Sequence, residues 1–95
     1  MKVINLKGTS EKTCSCASWL EHWETFSGQT ASVCGVFGCN NTDLVGAHVR
    51  RVSTYDHGTY IYPLCNACNK TSGQLDVWDN YQLVSADPGE TCEKP

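Results

Sequence analysis

The spacing of apolar and polar positions changes several times along the chain. Over residues 19–27, WLEHWETFS, the residues Trp19, Leu20, Trp23 and Phe26 recur at helical spacing on one face. This predicts a helix over 19–27. Ser18 and Glu21 supply the S-x-x-E of a capping box, and Gly28 stands where a left-handed residue ends a helix. LVGAHV, 44–49, alternates with a period of two and predicts a strand. Val45, Ala47 and Val49 lie on one of its faces, and Leu44, Gly46 and His48 on the other. TYIYPL, 59–64, predicts a second strand, with RRVSTYDHG closing a hairpin between the two. Pro63 has no N–H to donate, which points to an edge or a strand end. YQLVSA, 81–86, predicts a third strand, and VINL, 3–6, reads at most as an edge strand. CGVFGCNN, 34–41, is rich in Gly and Asn and predicts a tight turn. Gly73 limits any helix after Cys68 to a turn or two. The expected class is α+β: a β-hairpin, an N-terminal helix and an extra C-terminal strand.

With 95 residues and neither repeat nor linker, the chain predicts one domain over 1–95. A domain of this size buries only roughly 60–65% of its unfolded surface, so metal or cross-links are expected to support it. Seven cysteines are available for that. MKVINLKGTSEKT lacks the apolar core of a secretory signal, and no stretch is long enough to span a membrane. The expectation is therefore a cytoplasmic protein without a membrane partner, in a compartment where cysteine pairs bind metal more often than they form disulfides. An odd number of cysteines also argues against a complete disulfide framework.

Cys34-x4-Cys39 and Cys65-x2-Cys68 stand 25 residues apart. Zinc takes four soft ligands in a tetrahedron, and two short cysteine loops supply two corners each. Gly35 and Gly38 let the first loop fold round the ion. These pairs predict a structural zinc site, with two disulfides or buried free thiols as the alternative. Cys14, Cys16, His22 and Cys92 have the ligand types for a second zinc site joining the two ends of the chain. Against it stand a disulfide from Cys92 to Cys14 or Cys16, free thiols, or a His22 that simply packs beside the Trp19 and Trp23 stripe.

The order of knuckle, hairpin and cysteines at a helix start is that of a treble-clef zinc finger. Its central residues, GAHV and YIYPLCNACNK, resemble those of the HNH endonucleases that hold their fold with two cysteine pairs. The resemblance spans about residues 34–71. It implies that His48 is the general base and that Asn69 helps hold Mg²⁺ or another divalent cation, with His57 as a further ligand. Arg50, Arg51 and Lys70 would then contact the phosphates of DNA or RNA. The chain departs from the family pattern at two places. Ala47 stands where related sites often carry an Asp ligand, and Tyr60 falls near the family's middle Asn.

Charge bears on which partner to expect. The net charge is −3, a poor start for a nucleic-acid binder. Residues 71–93 carry Asp76, Asp79, Asp87, Glu90 and Glu93 with no Lys or Arg, whereas 40–70 carry Arg50, Arg51 and Lys70 against Asp43 and Asp56. The favoured reading is a zinc-stabilised interaction protein on a degenerate HNH-like treble clef, its acidic tail and three tryptophans serving a protein partner. The alternative is a metal-dependent HNH-type endonuclease, and a third reading gives the spare cysteines a redox or zinc-sensing role. A bacterial or phage origin fits the HNH resemblance by analogy.

Overall fold

The structure is a computed structural model that describes residues 1–6, 18–52, 55, 58–71 and 73–86. Its elements run β1 (Lys2–Asn5), α1 (Trp19–Ser27), β2 (Leu44–Arg51), β3 (Tyr60–Cys65), α2 (Asn66–Asn69), β4 (Gln74–Asp76) and β5 (Val84–Ser85). The strands form one antiparallel sheet of five, ordered β4-β1-β2-β3-β5. The class is α+β, as the alternation of helical and strand patterns implies.

Helix α1 starts and stops where its caps dictate. The Ser18 hydroxyl accepts the Glu21 N–H at 3.1 Å, and Gly28 takes φ 72° while its N–H donates to the Glu24 carbonyl. The buried stripe differs from the expected one. His22 and Trp23 are its fully buried members, whereas Phe26 is 45% exposed. Trp23 is fixed by its indole N–H, which donates to the Gln82 carbonyl at 2.6 Å, and by an edge-on contact with Tyr81 at 5.3 Å. Gly46 is what lets α1 lie down on β2. A Cβ at that position would stand 2.4 Å from the Trp19 carbonyl carbon.

The β2–β3 register pairs Leu44 with Cys65, Gly46 with Pro63, Ala47 with Tyr62 and His48 with Ile61. Facing residues of an antiparallel pair share a side of the sheet. Gly46 and His48 therefore face α1. Val3, Ala47, Val49, Tyr62, Leu64 and Leu75 share the opposite face, and all are buried. Both faces of the hairpin are covered, which explains the run of buried residues from Ala47 to Val49.

The opposite face is closed by residues 35–37. Gly35 donates its N–H to the Pro63 carbonyl at 3.0 Å and accepts from Trp78 at 2.8 Å, while Phe37 donates to the Asp76 carbonyl at 2.8 Å. Val36 and Val77 form a bridge. Backbone bonds thus run from β3 through 35–37 to the end of β4, and the curled sheet is joined round into a ring. Gly35 has no room for a side chain, because a Cβ would fall 2.3 Å from the Tyr62 ring. The Tyr62 hydroxyl donates to the Trp78 carbonyl inside this closure, and burial, reinforced by the nearby Asp79 charge, pushes the phenol well above its ordinary range.

Three strand expectations are corrected. β1 is an interior strand between β4 and β2, because residues 74–76 supply a partner that their short, Gly-preceded run does not advertise. β3 is also interior, between β2 and β5. Pro63 is tolerated because β5 pairs only with Tyr60 and Ile61, and because the Pro63 carbonyl turns away from β2 toward Gly35. Its missing N–H therefore lies outside the β2 ladder. The third strand shrinks from 81–86 to Val84–Ser85, since Tyr81 turns in to bond the Val33 carbonyl at 3.0 Å and Gln82 is held by the Gln29 side chain at 2.9 Å.

Candidate metal centre

Cys34, Cys39, Cys65 and Cys68 come together at one end of the β2–β3 hairpin. Their chain neighbourhoods explain why. Residues 34–41 close on themselves, with Cys34 donating its N–H to the Asn41 carbonyl at 2.9 Å and Cys39 donating to Val36 at 3.0 Å. Gly38 makes that turn at φ 84°. The second pair sits at the start of α2, where the Cys65 Sγ accepts the Cys68 N–H at 3.4 Å as an N-cap would. Asn66 pins this helix start to the hairpin, its amide donating to the Asp43 carboxylate at 3.0 Å and to the Asp43 carbonyl at 3.3 Å. That hydrogen bond holds the Asp43 carboxyl below its ordinary value.

All four sulfurs lie within 4.8 Å of one another. Cys39 Sγ is 3.9 Å from Cys65 Sγ and 4.0 Å from Cys68 Sγ. Four thiolates at roughly 2.3 Å from a tetrahedral zinc would stand about 3.8 Å apart, so the two Cys39 separations match such a shell within a few tenths of an ångström and all four sulfurs lie close enough to share one ion. All four are free thiols, with no disulfide among them. Two are buried and two half-buried. The set could hold a metal ion and leaves no corner of the tetrahedron for a fifth group.

The surroundings favour thiolate at Cys65. Burial raises the Cys65 thiol, but the Asn41 amide at 3.4 Å and the Cys68 N–H outweigh it and bring Cys65 down to about 7. A further N–H, from Cys65 itself, points at Cys34 Sγ at 3.2 Å. Cys34 and Cys68 are raised, first by burial and, for Cys68, then by hydrogen bonds with the adjacent sulfurs of Cys65 and Cys34. A cation among the four would relieve that crowding of negative charge, which is the usual coupling of metal binding to thiol ionisation. The pairs themselves were legible from spacing. Asn41, which donates to a sulfur, was not singled out, although an Asn two residues beyond a knuckle cysteine is the signal that could have found it.

The other sequence-derived positions are more scattered. His48 is 6% exposed and lies under Trp19, ring edge to ring face at 4.6 Å. Asn69 reaches the other side of β2, where its carbonyl accepts from the Asn5 amide. Asn5 pairs with Val49 and so shares that residue's face, away from His48. Arg50 and Arg51 alternate to opposite faces, and Lys70 is exposed beyond α2. His22 is fully buried and donates from Nε2 to the Ser85 carbonyl at 3.0 Å, between Trp19 and Phe26 with ring centroids 5.0 Å away on each side. Its ring ties α1 to β5. Cys14, Cys16, Cys92 and His57 lie outside the described residues. Among the described residues, no helix is long and apolar enough to cross a membrane.

No protein family, curated protein or solved structure matches the chain. The HNH resemblance therefore rests on its motifs alone.

Proposed function

We propose that Cys34, Cys39, Cys65 and Cys68 hold a structural zinc ion and that the domain works as a protein-interaction module. One observation carries this reading: four sulfurs gathered at tetrahedral spacing where the two halves of the chain meet. Zinc bound there would supply cross-linking energy, because a closed four-sulfur shell has no open position for a substrate. The interaction role draws support from aromatic surface next to the cluster. Phe37 and Trp78 stack at 4.0 Å while remaining 61% and 39% exposed.

The nuclease reading has weaker support. A general base must reach a water at the phosphate, and His48 is covered by Trp19. A hard cation needs oxygen ligands beside that base, and Ala47 and Tyr60 supply no carboxylate there. Among the described residues, the four cysteines are the one group of His, Cys, Asp and Glu side chains gathered closely enough to hold a metal. The experiment is incubation with supercoiled plasmid, single-stranded DNA and RNA in Mg²⁺ or Mn²⁺. No cleavage, with zinc bound, is the expected result. Cleavage abolished by both His48→Ala and Asn69→Ala would replace the interaction reading with the endonuclease.

A further inference from the structure

A cavity of about 280 Å³ opens beside the metal centre, lined by Val33, Cys39, Asn40, Trp78, Asn80 and Tyr81 among others. Small-molecule sites run from roughly 300 to 1,000 Å³, so this one suits a single long side chain better than a whole ligand. Its wall combines two aromatic rings with two exposed Asn side chains, and Phe37 extends the aromatic surface past Trp78.

We infer that this cavity receives a lysine or arginine side chain from a basic segment of a partner protein. The inference rests on the interaction reading and names its surface. Charge decides the occupant. Cys39 is both a wall of the cavity and a member of the cysteine cluster, and a zinc with four thiolates carries a net charge of about −2. Asp79 adjoins Trp78 and is 84% exposed. Its Oδ1 pairs with the largely buried Met1 amine at 3.3 Å, while the rest of the carboxylate stands in solvent. Residues 71–86 contain no Lys or Arg to compete for the site. The face of Trp78 attracts a cation, and the Asn40 and Asn80 amide oxygens are acceptors for its N–H groups. A phosphate backbone meets the wrong sign at the thiolate cluster, at Asp79 and at the face of Trp78.

The test uses the full, zinc-loaded chain and a fluorescein-labelled peptide alternating Gly with Lys and Arg, read by anisotropy. Its neutral counterpart carries norleucine and citrulline at the same positions. The basic peptide is expected to bind at least tenfold more tightly than the neutral one. Trp78→Ala should weaken it about tenfold, the scale of a partly desolvated cation–π contact. Asn80→Lys, an exposed change that puts a positive charge on the rim, should do the same while leaving zinc content and circular dichroism unchanged. Titration with the unlabelled peptide should shift the Trp78 indole N–H signal and leave that of buried Trp23 in place. Equal binding of the neutral peptide, or full binding by both variants, would overturn the inference. So would tighter binding of a labelled oligonucleotide that Trp78→Ala abolishes. Zinc content and the nuclease assay on the same preparations judge the underlying reading separately.

Discussion

Where Leu44 pairs with Cys65, the hairpin ends among four sulfurs with three N–H groups aimed at them. Two and four residues along β2, at Gly46 and His48, the same strand runs under α1, with Trp19 across His48 and Trp23 filling the space to Tyr81. The first region is held by a few strong, directional contacts, and the second by shape. Hydrophobic burial is non-directional and spread over many contacts, so losing one apolar contact weakens the second region in proportion. A tetrahedral ion is all-or-none, because three ligands do not close the shell. The two regions should therefore fail differently.

The largest effect belongs to the first region. Cys65→Ser is expected to abolish stoichiometric zinc and cooperative unfolding together, since structural zinc supplies on the order of 10 kcal/mol of apparent binding energy. Near-ultraviolet circular dichroism and metal content of the purified variant check this. A native spectrum without metal would erase the contrast. In the second region, Trp23→Ala should lower stability by about 3–5 kcal/mol. It should keep the zinc whenever folded, as read by denaturant titration with metal analysis.

Gly46→Ala sharpens the comparison further. The new methyl meets the Trp19 backbone, which cannot swing aside as a flexible side chain could. A loss of about 1–3 kcal/mol is expected, the usual range for overpacking, with zinc affinity unchanged. The smallest effect is on the Asp43–Asn66 pair at the helix start. Asn66→Ala should raise the Asp43 carboxyl toward its ordinary value in a carbon-13 titration, since it removes the largest of the hydrogen bonds that lower it. Asp43 has its folded value depressed. Its contribution is present above the ordinary carboxylate value and disappears as pH falls through the folded one. The variant should lose most of that dependence at acid pH.

Much of the metal corner could be read from the chain because its information is local. Each cysteine pair closes a short loop, and a glycine marks the turn between Cys34 and Cys39. The limits of α1 were local too, since Ser18 and Gly28 act within one turn. The alternation in 44–49 correctly assigned Gly46 and His48 to one face and Ala47 and Val49 to the other. What the alternation could not say is what covers each face. The α1 layer over His48, and α2 approaching Asn5 from the other side, are set by Gly46 and by chain crossings far apart in sequence. β4 escaped notice for the same reason. QLD is too short to show a period, and it is a strand because β1 on one side and Phe37 beyond its end supply hydrogen bonds. Phe26 was placed in the buried stripe by its spacing, but α1 is nearly over at that point and the ring stands partly in solvent.

The central claim is that four sulfurs, and nothing else, hold one metal ion at the end of the hairpin. Zinc-edge X-ray absorption on a Cys14→Ser, Cys16→Ser, Cys92→Ser variant tests it most directly, because the substitutions remove every cysteine outside the cluster. The expected result is one zinc per chain with a shell of four sulfurs at about 2.3 Å. A shell containing nitrogen or oxygen, or a folded variant with no zinc at all, would contradict the account.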